Sequence, residues 1–192
     1  MTAGQAPGIA GLRERLREWW RPLHGRLEEI WTAPAAGQPM QPRDAVQLTA
    51  GGGLEGDRYA TGQGHWHAVE ACDVTLITAD ELRRATRRAV RSRERDLIAP
   101  GEHRRNLVVS GLRHSPREGL LHIGDTTLAV GRPRPPCGWL NQVTGYNLAG
   151  ALRRDSGICL KVLHGGTIRP GDPVRWEPDP DTAATSRQGS AE

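Results

Sequence analysis

Short runs of alternating apolar and polar residues, separated by Gly, Pro and Asp, fill most of the chain from residue 28 to residue 176. Alternation of this kind predicts β-strands with one buried face, and the separators predict tight turns between them. The predicted strands cover residues 30–31, 45–49, 73–77, 107–109, 120–130, 158–163 and 167–176. We expect 120–130 to form two paired strands around a Gly-Asp turn, and 167–176 to form a closing hairpin.

The first segment with helical spacing lies near the N-terminus, in residues 11–27. Its apolar side chains recur at helical intervals among Arg and Glu, which predicts an amphipathic helix interrupted by Pro22 and Gly25. These apolar positions are Leu12, Leu16, Trp19, Trp20, Leu23 and Leu27. The helix can dock on the domain, pair with a partner or touch a membrane surface, and its mixed-sign polar face makes the membrane the least favoured of these.

A second, longer helix is predicted to begin at Thr78, where Glu81 three residues later completes a capping box. One face carries apolar Leu82, Ala85 and Ala89, and the other faces carry Arg83, Arg84, Arg87, Arg88 and Arg91. Such a charge run is typical of a solvated helix face. The segment has no aromatic residues for base stacking, so we do not predict nucleic-acid binding. A short third helix is predicted over 147–154.

Many short strands with one long helix indicate a mainly β fold with a few helices (α+β), built as a β-barrel-like domain. The predicted organisation is an N-terminal amphipathic extension over residues 1–27, the domain over 28–176 and a disordered tail over 177–192. The tail prediction rests on its Pro, Asp, Ala, Thr and Ser content without an apolar face.

Composition narrows the class of protein without naming its ligand. The 192 residues include 24 glycines and 14 prolines, which favours turns over a helix bundle, and the net charge of +4 favours anionic partners. No long uncharged apolar run predicts a transmembrane helix, and charged residues stand where a signal peptide needs its apolar region. Three scattered cysteines in such a chain suggest a reduced, cytoplasmic setting without a disulfide framework.

The candidate functional loop is Gly-Arg-Pro-Arg-Pro-Pro-Cys-Gly-Trp-Leu, residues 131–140. Its prolines remove backbone N–H donors and restrict φ, so the loop leaves its strand and holds one rigid shape. A thiol on a stiff loop beside guanidinium groups is in a setting that favours the thiolate, which is the nucleophile and the metal ligand. Cys137 is therefore the candidate functional cysteine, and the alternative is that it serves as a small apolar side chain.

A glycine turn at residues 51–56 matches G-x-G-x-x-G, the spacing of dinucleotide-binding loops. That motif must open a helix, whereas this turn is followed by polar residues and further glycines without helical spacing, so we reject the dinucleotide interpretation. A phosphate-cradling P-loop is rejected too, because no Lys-Ser/Thr pair follows. The turn instead presents Asp57 and Arg58, either to a ligand or as an ion pair that ties the loop.

Two other groups of polar residues are candidates for binding. His65 and His67, with Glu70 and Cys72 nearby, resemble part of a metal site, but the second ligand pair that structural zinc sites usually bring is missing. The entry of the strand over 107–109 carries two guanidinium groups and an amide, from Arg104, Arg105 and Asn106, which suit phosphate or carboxylate, although charged flanks are common at strand starts.

Several motifs in order identify a family resemblance. They are Ile30 to Pro34 with Gly37 and Met40; Gly53-Leu54-Glu55-Gly56-Asp57-Arg58-Tyr59; Arg105-Asn106-Leu107; Ile123-Gly124-Asp125; Pro136-Cys137; and Gly165-Gly166-Thr167-Ile168-Arg169-Pro170-Gly171-Asp172. Together, over residues 28–176, they resemble the MOSC family, found at the C-terminus of molybdenum-cofactor sulfurases and as small stand-alone proteins.

The resemblance implies a barrel-like β fold and a pocket for molybdenum cofactor (molybdopterin). It implies that Cys137 either ligates the molybdenum or carries sulfur as a persulfide. It also implies that Asp57 and Arg58 shape the pocket, and that Arg105 and Asn106 meet the phosphate side of the pterin. In place of the family's common Arg-Gly-Gly-Leu-Arg-Ala stands Asp-Ser-Gly-Ile-Cys-Leu at 155–160, so Cys159 replaces an arginine and Lys161 is expected to cover its basic role.

Three functions stay open at this point. The first is an oxidoreductase that acts on N-hydroxylated or related N–O substrates with electrons from a separate electron-transfer protein. The second is a sulfur-carrier or cofactor-delivery module with a cysteine desulfurase as partner. The third is a non-catalytic binding domain.

Overall fold

The computed structural model describes residues 23–64, 72–93 and 96–179 of the chain. These residues form eleven strands and three helices. The strands are β1 Leu23–Thr32, β2 Gln41–Pro42, β3 Val46–Thr49, β4 Gly53–Leu54, β5 Val74–Thr78, β6 Leu107–Ser110, β7 Leu120–Ile123, β8 Thr126–Pro133, β9 Ile158–His164, β10 Gly166–Ile168 and β11 Pro173–Glu177. The helices are α1 Ala79–Arg91, α2 Gly138–Thr144 and α3 Leu148–Leu152.

Seven strands close into a mixed β-barrel in the order β1-β11-β7-β8-β9-β5-β6, with β6 pairing again with β1. The β5–β6 pair is parallel and the other neighbours in the ring are antiparallel. Strand β2 pairs antiparallel with the last two residues of β1. Strands β10, β3 and β4 form a separate three-stranded sheet. The fold class predicted from the sequence, mainly β with a few helices in a barrel-like domain, is confirmed.

Apolar side chains that alternate along the strands fill the barrel. The largest fully buried ones include Leu27, Ile30, Leu48, Leu76, Leu107, Leu121, Ile123 and Leu128. A second apolar cluster packs the helices against the outside of the barrel, and it includes Trp31, Ile77, Ala85, Val108, Leu140, Leu148 and Leu152. This second cluster places α2, which follows Cys137, against the barrel wall.

Helix α1 begins as the sequence predicts. The Thr78 side chain accepts a hydrogen bond from the Glu81 backbone N–H, and the Glu81 carboxylate accepts one from the Thr78 N–H, so the capping box is complete. The helix makes the crossover between the parallel strands β5 and β6, which such a pair requires. Two alanines of this helix, Ala85 and Ala89, are fully buried.

Two predictions about the ends of the barrel are wrong. Residues 23–27 were predicted to end an N-terminal helix, but they belong to β1. Gly25 allows β1 to pack closely against β6, because a Cβ on Gly25 would lie 2.3 Å from the carbonyl oxygen of Ser110. The closing hairpin over 167–176 does not form either: β10 pairs with β3 and β11 pairs with β1 and β7. The rest of the predicted N-terminal helix and the tail beyond residue 179 lie outside the described residues.

The cysteines also depart from the expectation. Cys72 and Cys159 form a disulfide with Cα atoms 5.2 Å apart, which leaves Cys137 as the free cysteine. Spacing along the chain did not reveal this pair because 87 residues separate its members. Among the described helices, none has the length and apolar character needed to cross a membrane.

Candidate functional site

The loop between β8 and α2 carries Cys137. Strand β8 ends at Pro133, the chain continues through Arg134, Pro135 and Pro136, and Cys137 precedes the first residue of α2. Its backbone is extended (φ −127°, ψ 165°) and its side chain makes no capping hydrogen bond to the helix. The half-buried thiol is not in a disulfide and lines the adjoining pocket.

The pocket is small: its interior volume is about 30 Å³, and about 420 Å³ is reached only when the open mouth and the solvent there are included. Four guanidinium groups, one phenol and one thiol supply its polar side chains. The lining residues are Ala36, Arg58, Tyr59, Arg104, Arg105, Arg134, Pro135, Cys137, Trp139 and Leu140. We call Arg58, Arg104, Arg105 and Arg134 the pocket arginines.

Asp57 holds the glycine turn in place from beneath the pocket. Its buried carboxylate accepts hydrogen bonds from the backbone N–H groups of Ala33 and Tyr59 and from Nη1 of Arg58, at 3.1 Å each. Gly53 and Gly56 have positive φ, and a Cβ on Gly53 would lie 2.5 Å from the carbonyl oxygen of Asp73. Asp57 thus positions Arg58, whereas Arg58 itself lines the pocket. Residues 57–64, which follow this turn in the described part of the chain, form further turns and no helix.

Asn106 is a buried hub rather than a pocket-lining residue. Its Oδ1 accepts hydrogen bonds from the backbone N–H and hydroxyl of Thr75, and its Nδ2 donates to Trp31 O and to Asp57 Oδ2. These bonds use its amide fully, and its side chain is completely buried. Asn106 therefore lies behind Asp57, and it is not among the residues that line the pocket.

Arg104 has features that the sequence did not reveal. Its φ is +56°, in the left-handed region that non-glycine residues rarely adopt, and such strain concentrates at functional sites. The side chain is 7% exposed, and Nη1 donates to Gln38 O at 2.8 Å. Nη2 is buried and has no hydrogen-bond partner among the residues described. An unsatisfied buried donor is costly, so this atom requires an acceptor.

Arg105, in contrast, is held by its own protein. Nε donates to Ser156 O at 2.6 Å and Nη1 donates to His103 O at 3.0 Å. Burial, and secondarily the charge of Arg134, lowers the pKa of Arg105 to about 9. Burial next to Arg105 likewise lowers the pKa of His103 to about 3, so this imidazole stays neutral at ordinary pH.

Arg134 and Tyr59 join the site from segments far apart in the chain. Arg134 Nη2 donates to the Tyr59 hydroxyl at 2.7 Å, and the Cζ atoms of Arg58 and Arg134 lie 4.7 and 5.7 Å from the Tyr59 ring centroid. These distances fit cation–π contacts. The sequence showed Arg134 beside Cys137, but nothing in it indicated that Tyr59 would meet them.

The pocket has an excess of positive charge. Within the described part of the chain, Asp57 is the one carboxylate that forms an ion pair with a pocket arginine. Burial, together with the neighbouring charge of Arg58, lowers the pKa of Arg104 to about 10. Mutual repulsion of this kind is relieved by a bound anion, and guanidinium forks suit phosphate or carboxylate groups.

Three other predicted residues, Lys161, Cys159 and Cys72, do not line the pocket. Lys161 lies exposed on β9 opposite Ala129 and does not line the pocket, and Cys159 on the same strand is in the disulfide. His65, His67 and Glu70 lie outside the described residues. Cys72, proposed as a metal ligand with them, is bonded to Cys159 and is not a thiolate.

A second cluster of potential ligands, Glu81, His114 and Asp155, lies under α1. Arg84 and Arg88 both donate to the Asp155 carboxylate, and Arg84 Nη2 also contacts His114 Nδ1 at 3.0 Å. Glu81 caps the helix and accepts from Ser115. The guanidinium groups supply the positive charge here, so the cluster is structural.

Comparisons with known proteins agree with this fold. The profile of the MOSC domain matches residues 63–175. The structure of the YuaD protein from Bacillus subtilis superposes with a TM-score of 0.65 at 18% identity, covering 82% of this chain and 100% of that one. YiiM from Escherichia coli gives 0.58 at 18% identity, covering 82% and 71%. YiiM from Geobacillus stearothermophilus gives 0.54 at 18% identity, covering 80% and 75%.

A search of curated proteins finds no match. The profile covers more than half of the chain and the barrel has the architecture of the solved relatives, so the chain belongs to the MOSC domain family.

Proposed function

We propose that the pocket binds molybdenum cofactor and that the protein is an oxidoreductase for N-hydroxylated or related N–O substrates. The observation that supports this most strongly is one pocket with a thiol, four guanidinium groups and a buried donor that has no hydrogen-bond partner among the described residues. Molybdenum in a dithiolene site accepts soft thiolate ligands, and the cofactor carries an anionic phosphate. The donor set therefore fits both ends of the cofactor.

Each side chain has a distinct task in this proposal. Cys137 would ligate the metal. Arg104 would donate Nη2 to the phosphate, with Arg58 and Arg134 adding positive charge at the pocket wall. Arg105, which lines the pocket with its guanidinium held by Ser156 O, would add positive charge on the phosphate side, whereas Asn106 would act through the Asp57 carboxylate that it holds.

The cofactor would supply the oxygen-atom chemistry when bound, and the protein would supply binding, orientation and electrostatics. Tyr59, held by Arg134, would keep its hydroxyl oriented at the pocket wall. Trp139 and Leu140 would shield one side of the site from water. A separate electron-transfer protein would deliver the electrons.

The test is to purify the protein from hosts with and without cofactor biosynthesis and to measure molybdenum and oxidised pterin per chain. We expect near-stoichiometric metal and pterin only from the competent host. Cys137→Ser should lose metal, and Arg104→Gln should lose pterin. Arg87→Gln, an exposed arginine on α1, is the matched control and should lose neither. Absence of both metal and pterin from the wild type contradicts the proposal.

A sulfur carrier is the second candidate, and the observation in its favour is that Cys137 is unpaired while the other two cysteines are bonded together. A metal-free protein that gains the mass of one sulfur at Cys137 after incubation with a cysteine desulfurase supports this alternative. If neither metal nor sulfur is found, a non-catalytic binding domain is left.

A further inference from the structure

The Cys72–Cys159 disulfide lies next to the segments that support the pocket. Cys72 precedes β5, and Cys159 is the second residue of β9, which pairs with β5. Both cysteines are buried, at 8% and 2% exposure. The bond therefore fixes the start of β9 to the start of β5 in the interior of the domain.

The residues just before Cys159 hold two of the pocket arginines. Ser156 O accepts the hydrogen bond from Arg105 Nε, and the Ser156 hydroxyl donates to Arg134 O. Gly157 O accepts the hydrogen bond from the Arg134 backbone N–H at 2.9 Å. The position of the segment 156–157 thus sets the position of the Arg105 guanidinium directly and that of Arg134 through its backbone.

The chain from Ser156 to Cys159 packs closely against strands β5 and β8. A Cβ on Gly157 (φ +77°) would lie 1.9 Å from Leu76 O of β5, and a Cβ on Gly131 of β8 would lie 2.9 Å from Cys159 O. Such close backbone approach is possible only with glycine on these sides. The disulfide is the covalent bond that holds this segment in place.

The other cysteine supports the opposite wall of the pocket. Asp73, next to Cys72, packs its carbonyl against Gly53, at the start of the turn that carries Asp57 and Arg58. Asp73 N–H also donates to Leu160 O at 3.1 Å, beside Cys159. One covalent bond therefore joins the chain segments behind both walls.

We propose that Cys72 and Cys159 are positioning residues of the anion pocket and that their disulfide holds the pocket arginines at the spacing needed to bind an anion. This inference rests on the proposed pocket. Reduction by a dithiol transfers two electrons and two protons to the S–S bond, which gives two thiols while the dithiol forms its own disulfide. The segment 156–157 is then no longer held by a nearby covalent bond, and the pocket arginines lose their fixed spacing.

The experiment compares pyrophosphate binding by the oxidised wild type with that by the Cys72→Ser/Cys159→Ser variant of the full chain. Cys137 is the one free thiol in both proteins, so its alkylation by iodoacetamide gives a second readout. We expect the variant to bind pyrophosphate at least ten-fold more weakly, and pyrophosphate to slow alkylation in the wild type but not in the variant. Dithiothreitol should reproduce the loss in the wild type, and reoxidation should restore binding.

Leu121→Ala is the control for general destabilisation, because it truncates a fully buried side chain on β7 without touching the pocket. Unchanged pyrophosphate affinity in the double variant, or an equal loss in Leu121→Ala, overturns the proposal. If the double variant does not fold, reduction of the wild type replaces it, and cooperative unfolding of the whole domain on reduction overturns the positioning role. Failure of oxidised wild type to bind pyrophosphate also overturns it, whereas absence of molybdenum overturns the proposed function alone.

Discussion

Two groups of arginines in this protein have opposite surroundings. The helix arginines, Arg84 and Arg88 on α1, share the carboxylate of Asp155 at 2.7–2.9 Å. The hydrogen bond with Asp155 raises the pKa of Arg84. In the pocket, burial and neighbouring guanidinium groups lower the pKa of Arg104 and Arg105. The helix arginines share one carboxylate within the fold, whereas among the pocket arginines Arg58 alone forms an ion pair with a described carboxylate.

The difference separates a structural role from a binding role for the same residue type. Arg84 and Arg88 bind Asp155, which follows α3, so their ion pairs stabilise the packing of α1 against α3. Arg104 is strained and has a donor without a partner in the described part of the chain, so it lowers stability unless a ligand binds. A site that costs stability in the absence of its ligand is typical of function.

The largest expected effect comes from removing the carboxylate that the helix arginines share. Asp155→Asn leaves two partly buried guanidinium groups without their shared carboxylate, and we expect the free energy of unfolding to fall by about 3 kcal/mol. Denaturant titration measures the loss. Pyrophosphate affinity of the folded variant should stay within two-fold of the wild type (~0.4 kcal/mol), and a larger loss would contradict the separation of the two groups.

The buried His103 makes stability fall in acid. Its folded pKa of about 3 lies below the unfolded value of about 6.5, so the unfolded state binds the extra proton between these values. Stability should therefore fall by up to about 1.4 kcal/mol per pH unit as the pH drops below about 6.5. His103→Asn, whose side-chain oxygen can accept from the same Arg105 N–H, should flatten this slope in urea titrations at pH 6 and pH 4.5. Parallel slopes in the two proteins would show that other groups cause it.

Arg104→Asn should change binding and stability in opposite directions. Asparagine tolerates a positive φ, and the variant removes the unsatisfied guanidinium, so we expect stability to rise by about 1 kcal/mol. Pyrophosphate affinity should fall at least ten-fold, as calorimetry can measure. Arg104→Lys, which keeps the charge but loses the planar fork, should recover only part of the affinity. A destabilised variant would show that Arg104 has a structural role like that of Arg84.

The smallest effect is expected at Arg87, which is exposed on α1 and makes no ion pair with a described carboxylate. Arg87→Glu should change the free energy of unfolding by less than about 0.5 kcal/mol, because exposed charges contribute little. Thermal unfolding in low and moderate salt is the check. A loss comparable to that of Asp155→Asn would mean that the exposed arginines also hold the fold together.

Local patterns explain why much of the fold was predictable. The Thr78–Glu81 capping box, the strand over 158–163 and the rigid loop at Cys137 depend on residues close in the chain, so spacing alone reveals them. The helix predicted through residue 27 failed because leucines near helical spacing also fit a strand whose pairing with β6 and β11 is made by distant residues. The predicted hairpin over 167–176 failed for the same reason, since both of its strands found partners elsewhere.

By itself the sequence determined the family and the barrel class, and it singled out Cys137 as the candidate functional cysteine, because each of these rests on residue types in a linear order. Tertiary structure decided the roles within the site. Asn106 became a buried hub, Lys161 lay apart, Arg104 and Tyr59 entered the pocket, and Cys72 met Cys159 across 87 residues. Burial and unsatisfied hydrogen bonds are properties of atoms brought together by folding, and no spacing along the chain encodes them.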